Sequence, residues 1–308
     1  MKTISFLLLS IFVFVPLFSQ ESASKSLSLK ANAHFFQTPL DGNLIQPTAV
    51  AVNAEGHIFI FNKGHRKLME FDTGGKYLRS LGEGIFKDPH GLRIDADDNI
   101  WTTDLESHLV IKMSPKGRLL MVLGQNGTSG TYDETRKMVL FFKPADIAFG
   151  QNGDIYVADG YGNSRLVHLD KDGNLIKAWG EKGSEEGNFD NPHNVVIDKE
   201  GKLYVADRYN SRVQVFNAEG NFLQAWTDVG IPWGLAITDD QHIYMTDGNT
   251  EQIIKLDTQG NILATYRAGG GTQSGELRAA HGIAVGKNGE LYVTEVLNWR
   301  VQRLEKGK

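Results

Sequence analysis

One pattern recurs six times along this chain and limits its fold more than any other feature. Each copy opens with a small turn and an apolar triplet and continues through an aromatic-Val-x-Asp strand. A polar loop and a second apolar alternation follow, ending in Asp-x-x-Gly. The clearest copies run from Pro192-His193-Asn194-Val195 to Leu203-Tyr204-Val205-Ala206-Asp207 and from Gly282-Ile283-Ala284-Val285 to Leu291-Tyr292-Val293-Thr294-Glu295. Others begin near Pro47, Pro89, Pro144 and Pro232, and the sixth has Ala280 in place of proline. The next residue in each copy, here called the marker, is Thr48, His90, Ala145, His193, Trp233 and His281, at spacings of 40–55 residues.

Short period-2 strands in each copy are separated by Gly, Asn and Asp turns such as Gln151-Asn152-Gly153, and no stretch sustains a helical period. Repeats of about 40–50 residues with four short strands are propeller blades, since one blade cannot bury its faces alone and a ring can. The predicted fold is all-β, a six-bladed β-propeller closed by an N-terminal strand. The last copy runs out at Leu304 after three strands, and Ala33-His34-Phe35-Phe36-Gln37 is expected to supply the missing outer one.

Ahead of the repeats, Lys2 and the apolar run Ile4–Phe18, with a small residue at Ser19, read as an export signal; a retained N-terminal anchor is the alternative. The expected organisation is a signal peptide over 1–19, a linker over 20–32 and the propeller over 33–308. The chain has no cysteine, which excludes disulfides, thiolate metal sites and cysteine nucleophiles. An exported chain without disulfides points to a bacterial periplasm or exterior. A net charge of −5 with no basic tract argues against nucleic acid or an anionic membrane surface as partner.

The marker position carries histidine in copies two, four and six. In a closed ring of six, alternate blades lie about 120° apart, so His90, His193 and His281 converge on the axis at the channel mouth. Three imidazoles with an open fourth position suit tetrahedral zinc. Taken singly, each is more often structural. His34, His57, His65, His108, His168 and His242 share no such position and are read as structural. The loop after the strand end opens on the same face, and there Lys63 and Arg208 are expected to supply cations for an anionic group; solvated surface cations are the alternative. The loop Asp159-Gly160-Tyr161-Gly162-Asn163-Ser164-Arg165 is one residue longer than Asp207 to Arg212 and is able to swing Tyr161 over the mouth as a base. A packed loop aromatic like Tyr209 is the alternative.

The stretches Tyr156-Val157-Ala158-Asp159 to Leu166 and Tyr204-Val205-Ala206-Asp207 to Val213 resemble NHL repeats. The constellation as a whole resembles the peptidyl-α-hydroxyglycine α-amidating lyase family. The matching segments are Asp88-Pro89-His90-Gly91-Leu92, Asn191-Pro192-His193-Asn194, Ala280-His281-Gly282, the Tyr161 loop, and Ala206-Asp207-Arg208-Tyr209-Asn210. The resemblance implies zinc on the three histidines and Tyr161 as base, with Arg208 and Lys63 at the substrate carboxylate. The implied reaction splits the C–N bond of a peptidyl- or N-acyl-α-hydroxyglycine into an amide and glyoxylate.

It also implies calcium on the backbone carbonyls of Val50 and Leu92. Gly282 stands where the family has an aspartate, however, so calcium is expected to be weak or absent. Lys63 replaces a family arginine and loses its bidentate fork, and Ala279 replaces a methionine beside the substrate. The expected partner is a small-molecule or peptide substrate with a terminal α-hydroxyglycine-like group, met by a monomer with no membrane contact after signal cleavage. Two other readings stay open: a non-catalytic propeller binding a protein or peptide on its channel face, and a metal-dependent hydrolase or lactonase.

Overall fold

A computed structural model describes residues 25–307. The signal expected over residues 1–19 lies outside them. Among the described residues the structure is strands and turns, with one short 3-10 turn at Arg208–Asn210. Six antiparallel sheets follow one another in chain order, with innermost strands Pro47–Val52, Pro89–Ile94, Asp146–Phe149, Pro192–Ile197, Gly234–Ile237 and Ala280–Val285. These define blades 1 to 6 of the propeller. The long spacing between the second and third markers is taken up by a small hairpin, Tyr132–Asp133 with Met138–Val139.

The core is six wedges between neighbouring blades. Phe59, Phe61 and Leu68 of blade 1, for example, meet Leu92, Ile100 and Ile111 of blade 2. Alternation sends one face of each strand to the blade before and the other to the blade after, so both faces are apolar and middle strands such as Ile58–Asn62 are buried throughout. An acid recurs at the end of the second strand in blades 2 to 6 and anchors the chain around it. Asp207 lies within hydrogen-bond reach of Arg212 at 2.7 Å and accepts the Asp190 N–H at 2.8 Å. Asp159 and Glu295 make the same pairs with Arg165 and Arg300. These buried carboxylates are structural, because every one is met by a guanidinium or backbone N–H.

Ring closure comes from the N-terminus, but not from the expected segment. Leu29–Asn32 pairs antiparallel with Arg300–Lys306 as the outermost strand of blade 6, and Lys25–Ser26 adds in parallel to blade 5. Residues 25–32 are thus part of the sheets rather than a linker. The aromatic pair at 35–36 plugs the wedge between blades 6 and 1 instead. Phe36 sits edge-on to Phe71 at 4.9 Å, and the Arg303 guanidinium lies 4.7 Å over Phe35. A chain starting at Ala33 loses these interstrand bonds, about 2 kcal/mol, and should melt about 5 °C below one starting at Lys25. Equal melting temperatures would show that Leu29–Asn32 does not carry the closure.

Candidate metal centre

His90, His193 and His281 each begin an innermost strand at a β-bulge. Between Pro89 and Leu92, Pro192 and Asn194, and Ala280 and Ile283, the strand carries one residue more than its partner. The extra residue breaks the alternation and turns the imidazole toward the axis. At His281 the bulge needs the following glycine: a Cβ on Gly282 would lie 2.7 Å from the Thr48 carbonyl oxygen and 3.0 Å from the Ala49 Cα. The three rings pack edge to face with centroids 4.7–4.9 Å apart, and one ring nitrogen from each lies within 4.8 Å of the others.

What fixes their orientation is the other half of the marker ring. His90 Nδ1 donates to the Ala145 carbonyl at 2.7 Å, His193 Nδ1 to the Trp233 carbonyl at 2.6 Å, and His281 Nδ1 to the Thr48 carbonyl at 2.7 Å. Each histidine is therefore locked by the marker of the next blade. A carbonyl can only accept, so Nδ1 carries the proton and the Nε2 lone pair points inward. The side chains of Thr48, Ala145 and Trp233 gave no signal of this, because the bond is to backbone.

Burial pushes His90 down to about 4, and burial also holds His193 and His281 well below the usual imidazole range, aided by their mutual repulsion and the Arg208 charge. The trio is neutral at pH 7, the form that ligates metal. Tyr161 Oη lies 3.0 Å from both His90 Nε2 and His193 Nε2. One phenol proton can serve only one of these lone pairs, so three Nε2 atoms and a phenol oxygen converge with a single proton among them. That donor set fits a cation with imidazole preference, and the buried trio could hold a metal ion.

The longer loop carries Tyr161 inward, while its counterpart Tyr209 is 61% exposed. Burial pushes the Tyr161 phenol up to about 12, and the Arg208 charge opposes this. Arg208 stands on the 3-10 turn with its guanidinium 3.5 Å from the centre of the Trp233 ring, whose Nε1 donates to Asn249 at 2.8 Å. Trp233 thus serves twice, holding His193 through its carbonyl and Arg208 through its ring, and it was not among the expected site residues. Lys63 reaches the same rim but is engaged, its ammonium 2.6 Å from Asp88. Val50, Leu92 and Gly282 line the channel below, together with Arg93 and Asp146.

The depressed histidines have a consequence for stability without metal. Below about pH 6.5 the unfolded chain protonates all three imidazoles, whereas the fold keeps His90 neutral down to about pH 4 and holds His193 and His281 neutral well below their usual range. The unfolded state binds more protons in that window, so stability falls as pH drops. Denaturant titrations of metal-free protein at about pH 7 and 5 should show a larger loss for wild type than for the His90→Gln/His193→Gln/His281→Gln variant. Equal losses would mean that the fold does not hold the imidazoles neutral.

Comparison with known proteins agrees with this architecture. The NHL repeat family model matches residues 141–169 and 189–216. The solved structure of a streptogramin B lyase superposes with a TM-score of 0.64 over 91% of this chain and 98% of that one, at 16% identity, which shows the shared fold alone. Peptidyl-glycine α-amidating monooxygenase A of Xenopus laevis is 41% identical over 160 residues, 49% of this chain but only 17% of that protein. A probable peptidyl-α-hydroxyglycine α-amidating lyase of Caenorhabditis elegans is 31% identical over 294 residues, covering 82% of this chain and 80% of its own. With identity sustained over most of both chains, this protein belongs to the peptidyl-α-hydroxyglycine α-amidating lyase family.

Proposed function

We propose that the protein is a zinc-dependent lyase that cleaves the C–N bond of a peptidyl- or N-acyl-α-hydroxyglycine, giving an amide and glyoxylate. The observation that carries the reading is the convergence of three neutral, backbone-oriented imidazoles on one phenol oxygen beside a cation. Export as a soluble protein is proposed with it, on the N-terminal signal pattern.

His90, His193 and His281 would hold the metal through Nε2. Bound there, zinc would supply Lewis acidity to the substrate hydroxyl and lower the pKa of the neighbouring phenol. Tyr161 takes the hydroxyl proton as the C–O bond becomes C=O and the C–N bond breaks, and returns it to the departing amide nitrogen, so no external acid, base or oxidant is consumed. Arg208, held flat on Trp233, presents its outer N–H groups to the substrate carboxylate. Lys63 contributes positive charge at the rim, and its ion pair with Asp88 favours a supporting part over direct contact. The buried, neutral trio also weighs against a purely protein-binding channel face, since inward Nε2 lone pairs buried without a ligand cost stability.

The test is glyoxylate release from α-hydroxyhippurate by metal-loaded protein, with metal content measured alongside. Tyr161→Phe should lose about 10²–10⁴-fold in kcat while keeping its metal; equal loss of metal would contradict its role as base. His193→Ala should lose both metal and turnover. Arg208→Ala should raise KM and lower kcat, together about 100-fold in kcat/KM. An unchanged value would remove Arg208 from the site.

A further inference from the structure

Beneath the three histidines the channel contains a second built feature. Arg93, three residues past His90 on the same strand, extends its guanidinium across the axis and joins four blades. Its Nε donates to Asp146 Oδ1 at 3.1 Å and its Nη2 to Asp146 Oδ2. The same Nη2 reaches Asn194 Oδ1 at 2.9 Å and the Val195 carbonyl at 3.2 Å, and Leu235 O lies 3.4 Å away. Asp146, 3% exposed, also accepts the Val195 N–H at 3.2 Å, and Asn194 Oδ1 accepts the Leu235 N–H at 3.0 Å.

The partners of this network sit one or two residues along the chain from the histidines or their carbonyl acceptors. Asp146 follows Ala145, whose carbonyl holds His90; Asn194 follows His193; and Leu235 lies two residues past Trp233, whose carbonyl holds His193. Shifting the guanidinium would therefore move two of the three imidazoles or their acceptors.

The donor set of the channel does not fit calcium. That ion wants about 6–8 oxygens with some of them anionic. Asp146 is a carboxylate lining this cavity, and both of its oxygens are committed to Arg93. No carboxylate can enter at position 282 without moving the Thr48 carbonyl that holds His281. A divalent ion on the carbonyls of Val50 and Leu92 would also sit in the cavity that the guanidinium charge already occupies.

We propose that Arg93 is the permanent cation of the channel: clamped by Asp146 and Asn194, it positions the histidine centre from below, and calcium has no structural place in this protein. The proposal rests on the three histidines being a metal centre, not on which reaction that centre catalyses.

Two measurements on the mature, folded protein test it. Elemental analysis and melting curves in chelator-resin-treated buffer, with and without about 5 mM calcium, address the ion itself, since that concentration fills even weak extracellular-type sites. The melting temperature should not move and calcium should not co-purify; a rise of several degrees, or about one calcium per chain, would overturn the proposal. Arg93→Met and Arg93→Lys, loaded with cobalt(II), address positioning. Arg93→Met should weaken metal binding about 10–100-fold and alter the visible cobalt spectrum, with Arg93→Lys recovering part of both. Should Arg93→Met fail to fold, Asn194→Ala cuts one arm of the network and should weaken cobalt binding several-fold with the fold intact. Wild-type affinity and spectrum in a folded Arg93→Met or Asn194→Ala protein would overturn the positioning role. If wild type itself binds no metal on the histidines, the metal centre fails and the proposal with it.

Discussion

The structure turns on three hydrogen bonds that cross from blade to blade. Each axial histidine gives its Nδ1 proton to the backbone carbonyl of the next blade's marker residue. Because donors and acceptors alternate around the ring, the bonds stitch blades 2 to 3, 4 to 5, and 6 to 1 while selecting the tautomer that points Nε2 inward. The same bonds therefore serve stability and chemistry. They cost nothing in side-chain entropy at the acceptor, since a backbone carbonyl has no rotamer freedom to lose.

Around that centre the charges are sorted by depth. In blades 3, 4 and 6 the carboxylates at the strand ends are neutralised within their own blades by arginines. In the channel one guanidinium faces one carboxylate. At the open face Arg208 and Lys63 leave the rim positive, although Lys63 is partly spent on Asp88. On this face Arg208 lies against the ring of Trp233, and the phenol of Tyr161 meets the imidazoles of His90 and His193. The three rings are buried against one another, and Trp233 packs on His193 and His281.

The legible parts of the site share one property, equivalence under the repeat. His90, His193 and His281 stand out because they occupy the same position in alternate copies, and Tyr161 because its loop is one residue longer than its counterpart. Arg93, Asp146 and Asn194 were invisible for the opposite reason. Asp146 and Asn194 share the position after the marker but differ in residue type, Arg93 lies two residues further along its own copy, and no single copy contains the network. In the sequence Trp233 is only a non-histidine at the marker, since its two jobs depend on a carbonyl and a ring face that have meaning only beside another blade. The closing strand was misplaced because Phe35-Phe36 is the stronger apolar signal. Leu29–Asn32, with lysine and asparagine on its outer face, reads as polar linker until an open edge needs pairing.

The sequence by itself determined the number of blades, the alternation that buries both faces of each sheet, and the residue types brought to the axis. These are periodic properties, repeated every 40–55 residues and so readable without coordinates. Tertiary structure alone decided which way each imidazole faces, which cation fills the channel and which N-terminal segment seals the ring. Those outcomes depend on β-bulges, backbone carbonyls and contacts between residues as far apart as His281 and Thr48. Such contacts are set only when the ring closes, because closure is what brings the first and last blades together.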